Sequence, residues 1–103
     1  MREIRLARLD KTRPVVVLTR EPTRAAMTKV TVAPITSTIK GLSSEVLVGP
    51  RNGLDHESAV AVDNILTVPS QALGRVVGYL YSEQERELAK AMVIAFDLDL
   101  PLL

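Results

Sequence analysis

The run Pro14-Val15-Val16-Val17 constrains this chain more than any other feature. Proline fixes φ at about −65° and removes a backbone donor. The three β-branched residues behind it favour an extended backbone. Together they predict a strand that starts at Pro14, since proline is tolerated at a first strand position. Arg13 stands immediately before the proline, which disfavours helix there. A permanent cation is thus placed at the mouth of the stiffest strand.

Other segments carry the same β character. Residues 3–9 (EIRLARL) alternate at Ile4 and Leu6, then slip near Arg8, which predicts a strand with a bend or bulge. Residues 29–35 (KVTVAPI) alternate again, with Val30, Val32 and Pro34 on one face. Residues 45–48 (EVLV), 58–65 (SAVAVDNI) and 74–80 (GRVVGYL) read as further strands, with the turn-rich GPRNGLDHE joining the first two of these. The end differs. In SEQERELAKAMVIAFDL, Leu88, Met92, Ala95 and Phe96 follow helical spacing. Ser82 with Glu85 three positions on has the capping-box pattern, and acids in the first turn suit the helix dipole. Five or six short strands followed by one amphipathic helix predict a mainly β fold. The expected form is a small antiparallel barrel with a helix laid against it, one domain spanning residues 1–103.

Composition narrows what such a barrel can do. Aromatic residues make up only 3% of the 103 positions and tryptophan is absent, so aliphatic side chains must build the core. With no cysteine and one histidine, disulfides, thiolate sites and His-rich metal sites are excluded. The longest apolar run, Ala91 to Phe96, is far too short to span a bilayer. No targeting segment is read, so the cytoplasm is the expected compartment. The net charge of +1 hides an asymmetry: residues 1–52 hold ten Lys/Arg and four Asp/Glu, and residues 53–103 hold three and eight. Surface made by the first half would attract a polyanion, unless the fold interleaves the halves and averages the charge out.

Few residues could do chemistry. Arg13, rooted in a rigid strand, offers planar forked donors matched to phosphate oxygens; the plain alternative is a surface arginine paired with an acid such as Asp10. In PITSTIK, Thr36, Ser37 and Thr38 set three hydroxyls beside Lys40, either an ordinary turn or a phosphate pocket. His56 is the obvious candidate for a general base, but reads first as a solvated loop residue with acids on both sides. Asp63 and Asn64 would read a base edge or close a turn, and Tyr79 and Tyr81 are expected at the barrel–helix seam rather than stacked on bases. No Gly-rich phosphate loop, zinc motif or Ser-His-Asp order is present.

Taken in order, RPVVVLTR, VTVAPITSTIKGLSSEV, AVAVDNILTVP, LGRVVGYL and the terminal AFDL resemble the MazF/PemK toxins of bacterial toxin–antitoxin pairs, over nearly the whole chain. The resemblance is to the short mycobacterial branch. It implies an SH3-like or CcdB-like barrel forming a homodimer, with sequence-specific, metal-independent cleavage of single-stranded RNA and no cofactor. It also implies a MazE-like antitoxin laid across the RNA groove. The family's catalytic arginine and threonine fall on Arg13 and Thr36, and its base-contacting polar position falls near Asn64. Lys11, Ser37 and Lys40 are then RNA-binding residues. The chain departs from the family in its opening REIRLARL and in the short DKT loop before RPVVV. A short loop implies a more open groove, compatible with structured RNA such as rRNA or tRNA. Two other functions fit the same barrel. One is a CcdB-like gyrase poison, which would want aromatic anchors that DLDLPLL lacks. The other is a non-catalytic RNA-binding barrel, which would not need Arg13 and Thr36 together.

Overall fold

The computed structural model describes residues 1–20 and 26–100. Seven strands precede one helix: β1 Glu3–Arg8, β2 Thr12–Val17, β3 Lys29–Thr36, β4 Glu45–Val48, β5 Ser58–Ala61, β6 Leu66–Pro69, β7 Leu73–Tyr79 and α1 Ser82–Ala95. The strands form one curled antiparallel sheet in the order β4-β5-β3-β2-β1-β7, and β6 joins the edge of β3. Strand β3 is the spine. Its Lys29–Val32 segment pairs with β6, while Ile35 and Thr36 pair with β5. Its other edge takes β2. A single long strand therefore carries two partners on one side, and the sheet bends into a half-barrel around it.

The valines of β2 explain why the sheet is covered on both faces. Val15 and Val16 point to opposite sides, as successive strand residues must, and neither has any exposed surface. Val16 joins Ile4, Ala33, Ile35, Val46, Val60, Leu80 and the helical Leu88 and Ala91 in the larger apolar cluster. Val15 joins Ala7, Val30, Val32 and Val68 in the smaller one. All these core side chains are aliphatic, as the scarcity of aromatic residues requires.

The alternation of β3 holds: Val30 and Val32 face the smaller cluster, with the half-buried Pro34 paired to Val15 on the same side, and Ala33 and Ile35 face the larger. Several other expectations need correction. The β1 irregularity lies at Arg5, where pairing with β7 shifts on both sides, rather than near Arg8. The 58–65 strand ends at Ala61. Val62–Asn64 form a 3-10 turn, tied by the Ser44 hydroxyl donating to the Asp63 carboxylate, and the chain re-emerges as β6. Ser82 is the first helical residue, not the cap. The cap is Tyr81, whose N–H donates to Gln84 Oε1 at 2.9 Å. Phe96 ends up half exposed beyond the helix end. Of the DLDLPLL tail, Leu98 and Leu100 are exposed and residues 101–103 lie outside the described residues.

Gln84 is chosen because it is buried beside Asn52. Asn52 Nδ2 donates to Gln84 Oε1 and to the Tyr79 carbonyl, and Gln84 Nε2 donates to Asn52 Oδ1 and the Leu47 carbonyl. The Gly49 N–H donates to Asn52 Oδ1. Every side-chain oxygen and nitrogen of the pair has a partner, which is what burial of two amides demands. This lock presses the 50–53 turn onto β7. Gly53 sits at φ +89°, and a side chain on Gly78 would collide with the Asn52 carbonyl oxygen. Gly78→Ala is therefore expected to cost about 1–3 kcal/mol by overpacking. Urea unfolding tests this, and an unchanged midpoint would show that the turn does not rest on β7 as described.

Candidate active site

Strands β2 and β3 bring the first two candidates together. Val15, Val16 and Val17 pair with Pro34, Ala33 and Val32. That pairing ends at Val15 and Pro34, two residues short of Arg13 and Thr36, which lie beyond it on the same two neighbouring strands. Both are bracketed by regular pairing, Arg13 with Ala7 of β1 and Thr36 with Ala59 of β5. Arg13 and Thr36 also line the same two cavities, of about 670 and 600 Å³, which meet along them.

Arg13 is paired with Asp10, as the plain reading allowed. Its Nε donates to Oδ1 and one terminal nitrogen, Nη2, to Oδ2, both at 2.9 Å. Pairing does not remove it from the groove: the side chain keeps about a third of its exposure, and Asp10 is two-thirds exposed. The side-on fork leaves Nη1 without a hydrogen-bond partner among the described residues and aims the guanidinium plane. The hydrogen bond with Arg13 holds the Asp10 carboxyl far below the usual carboxylate range, and the same bond raises Arg13. Asp10 is consequently a poor proton acceptor and Arg13 a permanent cation.

Thr36 offers the complementary group. Its Oγ1 accepts the Thr38 N–H at 3.1 Å, which occupies one lone pair and leaves the hydroxyl proton for another acceptor. The loop behind it is held by Glu45, whose carboxylate accepts the N–H groups of Lys40, Gly41 and Leu42 at 2.8–3.3 Å. Gly41 takes φ +76° in that turn. A carboxylate gripped by three successive amides fixes the path of residues 37–42.

The remaining candidates divide between the two cavities. Lys40 and Asn64 line the first, with Asp10, Glu45 and Asp63. Asn64 does so from the 3-10 turn, not from a strand. Lys11, Ser37 and His56 line the second. His56 is exposed on its loop, but the loop wraps back to the site. Tyr79 and Tyr81 lie at the strand–helix seam, where the Arg51 guanidinium stacks over the Tyr81 ring at 4.8 Å. Asp10 and Glu45 had no sequence signal beyond proximity to a cation and to a glycine. Among the described residues, no group of three or more His, Asp or Glu could hold a metal ion, and no helix is long and apolar enough to cross a membrane.

Comparison with known proteins shows the family to which the chain belongs. Residues 3–96 match the family described as PemK-like, MazF-like toxins of type II toxin–antitoxin systems. A Mycobacterium tuberculosis protein named endoribonuclease MazF3 is 54% identical over 99 residues, covering 96% of each chain. The solved structure of the Mycobacterium tuberculosis toxin MazF-mt6 superposes with a TM-score of 0.93 at 53% identity, covering 95% of this chain and 99% of that one. A mycobacterial endoribonuclease solved with its cognate antitoxin shares the fold, with a TM-score of 0.84 at 21% identity over 96% of this chain and 95% of that one.

The Asp10–Arg13 fork makes a pH prediction. A depressed carboxylate contributes stability that is present above its unfolded value, about 3.9, and is lost as pH falls through the folded value. In a carboxyl-carbon NMR titration, Asp10 should stay ionised well below the range of the other acids. In Arg13→Ala it should return towards about 3.9. An ordinary Asp10 titration in the intact protein would show that the fork does not persist in solution.

Proposed function

We propose that this chain, which belongs to the PemK-like, MazF-like family of type II toxin–antitoxin toxins, is an endoribonuclease that cleaves single-stranded RNA between Arg13 and Thr36. The observation that carries the reading is the convergence of those two side chains on one groove. The 54% identity to a relative named as an endoribonuclease supports the reaction class. The whole chain acts as one toxin domain in the cytoplasm, as a homodimer, and a MazE-like antitoxin neutralises it.

The chemistry needs little from the protein because RNA carries its own nucleophile, the 2′-OH. An enzyme must align that hydroxyl with the phosphorus, stabilise the added negative charge and let the 5′-oxygen leave. The 2′-oxygen forms a bond to phosphorus as the P–O5′ bond breaks. The 2′ proton passes to solvent water and the departing 5′-oxygen takes one from it, so the step balances in protons. The products are a 2′,3′-cyclic phosphate and a 5′-OH end, and DNA is spared because it lacks the 2′-OH. Arg13 Nη1, free of Asp10, donates to the phosphorane oxygens. Thr36 donates its hydroxyl to a non-bridging oxygen. Asp10 keeps the guanidinium in plane and supplies no proton transfer. Lys11, Ser37 and Lys40 hold the strand, and Asn64 faces a base. The short β1–β2 connection, Leu9–Lys11, leaves the groove open above Arg13, which suits folded RNA as well as messenger RNA.

Incubation of the purified protein with total RNA, followed by mapping of new 5′-OH ends, is the direct test. Arg13→Ala should lower the rate by about 10³-fold or more, in line with arginines that stabilise phosphoryl transfer. Arg13→Lys should rescue little, since the fork is lost. Thr36→Ala should lose about 10²–10³-fold, the usual cost of one oxyanion donor. Cleavage by Arg13→Ala at the wild-type rate would end this assignment.

A further inference from the structure

The two cavities that meet at Arg13 and Thr36 differ in charge. Three carboxylates, from Asp10, Glu45 and Asp63, face the first against Arg13 and Lys40. Lys11, Arg13 and Arg75 face the second against Asp55, with His56 beside them. The cations of the second cavity arrive from separate places in the chain: the β1–β2 turn, β2 and β7. They are gathered by the fold rather than by sequence.

Arg13 already gives two nitrogens to Asp10. Lys11 and Arg75 have no side-chain hydrogen bond or ion pair among the described residues. Like charges left uncompensated around one cavity repel and oppose folding, and an anionic ligand relieves them. A single phosphodiester carries one negative charge, and the scissile one is taken by Arg13 and Thr36. Strand β1 alone separates β2 from β7, so the backbones of Arg13 and Arg75 stand two strand spacings apart across the sheet, roughly 10 Å, with Arg75 a further two residues along β7 from Leu73, the residue level with Arg13. The first cavity, with three carboxylates against Arg13 and Lys40, is less favourable to an additional phosphate than the second.

We infer that the second cavity is a binding subsite for the RNA phosphate next to the scissile one, held by Arg75 together with Lys11. This rests on the reading of Arg13 and Thr36 as the cleavage site and gives the strand a direction across it: backbone over β1 and β7, base towards Asn64. Arg75 is a positioning residue that sets which phosphate reaches Arg13.

The test uses a single-stranded oligoribonucleotide spanning a mapped cleavage site, bound to the Arg13→Ala protein so that the RNA stays intact. On single strands each phosphate contact contributes about 0.7 to the slope of log K against log salt. Adding Arg75→Gln should lower the slope by about 0.7, and Arg75→Lys should restore it. A residue that only supported the fold would move the melting temperature without moving the slope. In a second arm, each phosphate flanking the scissile one is replaced in turn by an uncharged methylphosphonate. At one of the two positions the replacement should weaken binding when Arg75 is present, weaken it less with Arg75→Gln, and have no further effect once Lys11→Gln is added. An unchanged slope, or equal sensitivity of both proteins at both positions, overturns the subsite. Failure of the cleavage-site reading would appear separately, as RNA cut by Arg13→Ala.

Discussion

The pairing of β2 with β3 is the constraint on which the rest depends. It is pinned by valines fully buried on both faces of β2, so no slip of register is cheap. A shift of one residue would turn Val15 and Val16 to each other's sides and carry Arg13 away from Thr36. Pro14 adds stiffness at the point where the strand leaves the core. A cation at the doorstep of a buried strand is therefore a means of aiming. The apolar packing behind Arg13 fixes a backbone position, and the side chain inherits that position at the rim of the groove.

Orientation is then refined by polar contacts that cost the site some of its charge. Asp10 holds two of the guanidinium nitrogens and leaves the third for substrate. Thr38 occupies the acceptor side of the Thr36 hydroxyl and leaves the donor side. Glu45 holds the loop that follows by its own amides. In each case an internal partner satisfies one half of a group and points the other half outward. Such preorganisation suits electrostatic catalysis, where donors already in place need no rearrangement as charge develops.

Much of this was legible in the sequence because it is local. The Pro-Val run, the hydroxyl triplet and the helical spacing of Leu88 and Met92 depend on neighbours along the chain. What escaped depends on partners far away. The break of the 58–65 segment is made by Ser44, and the helix cap is chosen by Asn52 through Gln84. Strand β6 has a single buried residue, Val68, so it shows no alternation to read. Asp10 looked like an ordinary surface partner because three residues of sequence cannot show a two-pronged contact. Arg75 carries no motif at all; only the curl of the sheet sets it on the cavity that Lys11 also lines.

The central claim is that Arg13 and Thr36 act on one phosphate as a unit. A double-mutant cycle on single-turnover cleavage measures this most directly, with Arg13→Ala, Thr36→Ala and the double variant compared on one RNA. Groups that work together are strongly non-additive. The double variant should be scarcely slower than Arg13→Ala alone. Losses that simply multiply would mean that the two side chains serve different steps or different sites, and would contradict the account.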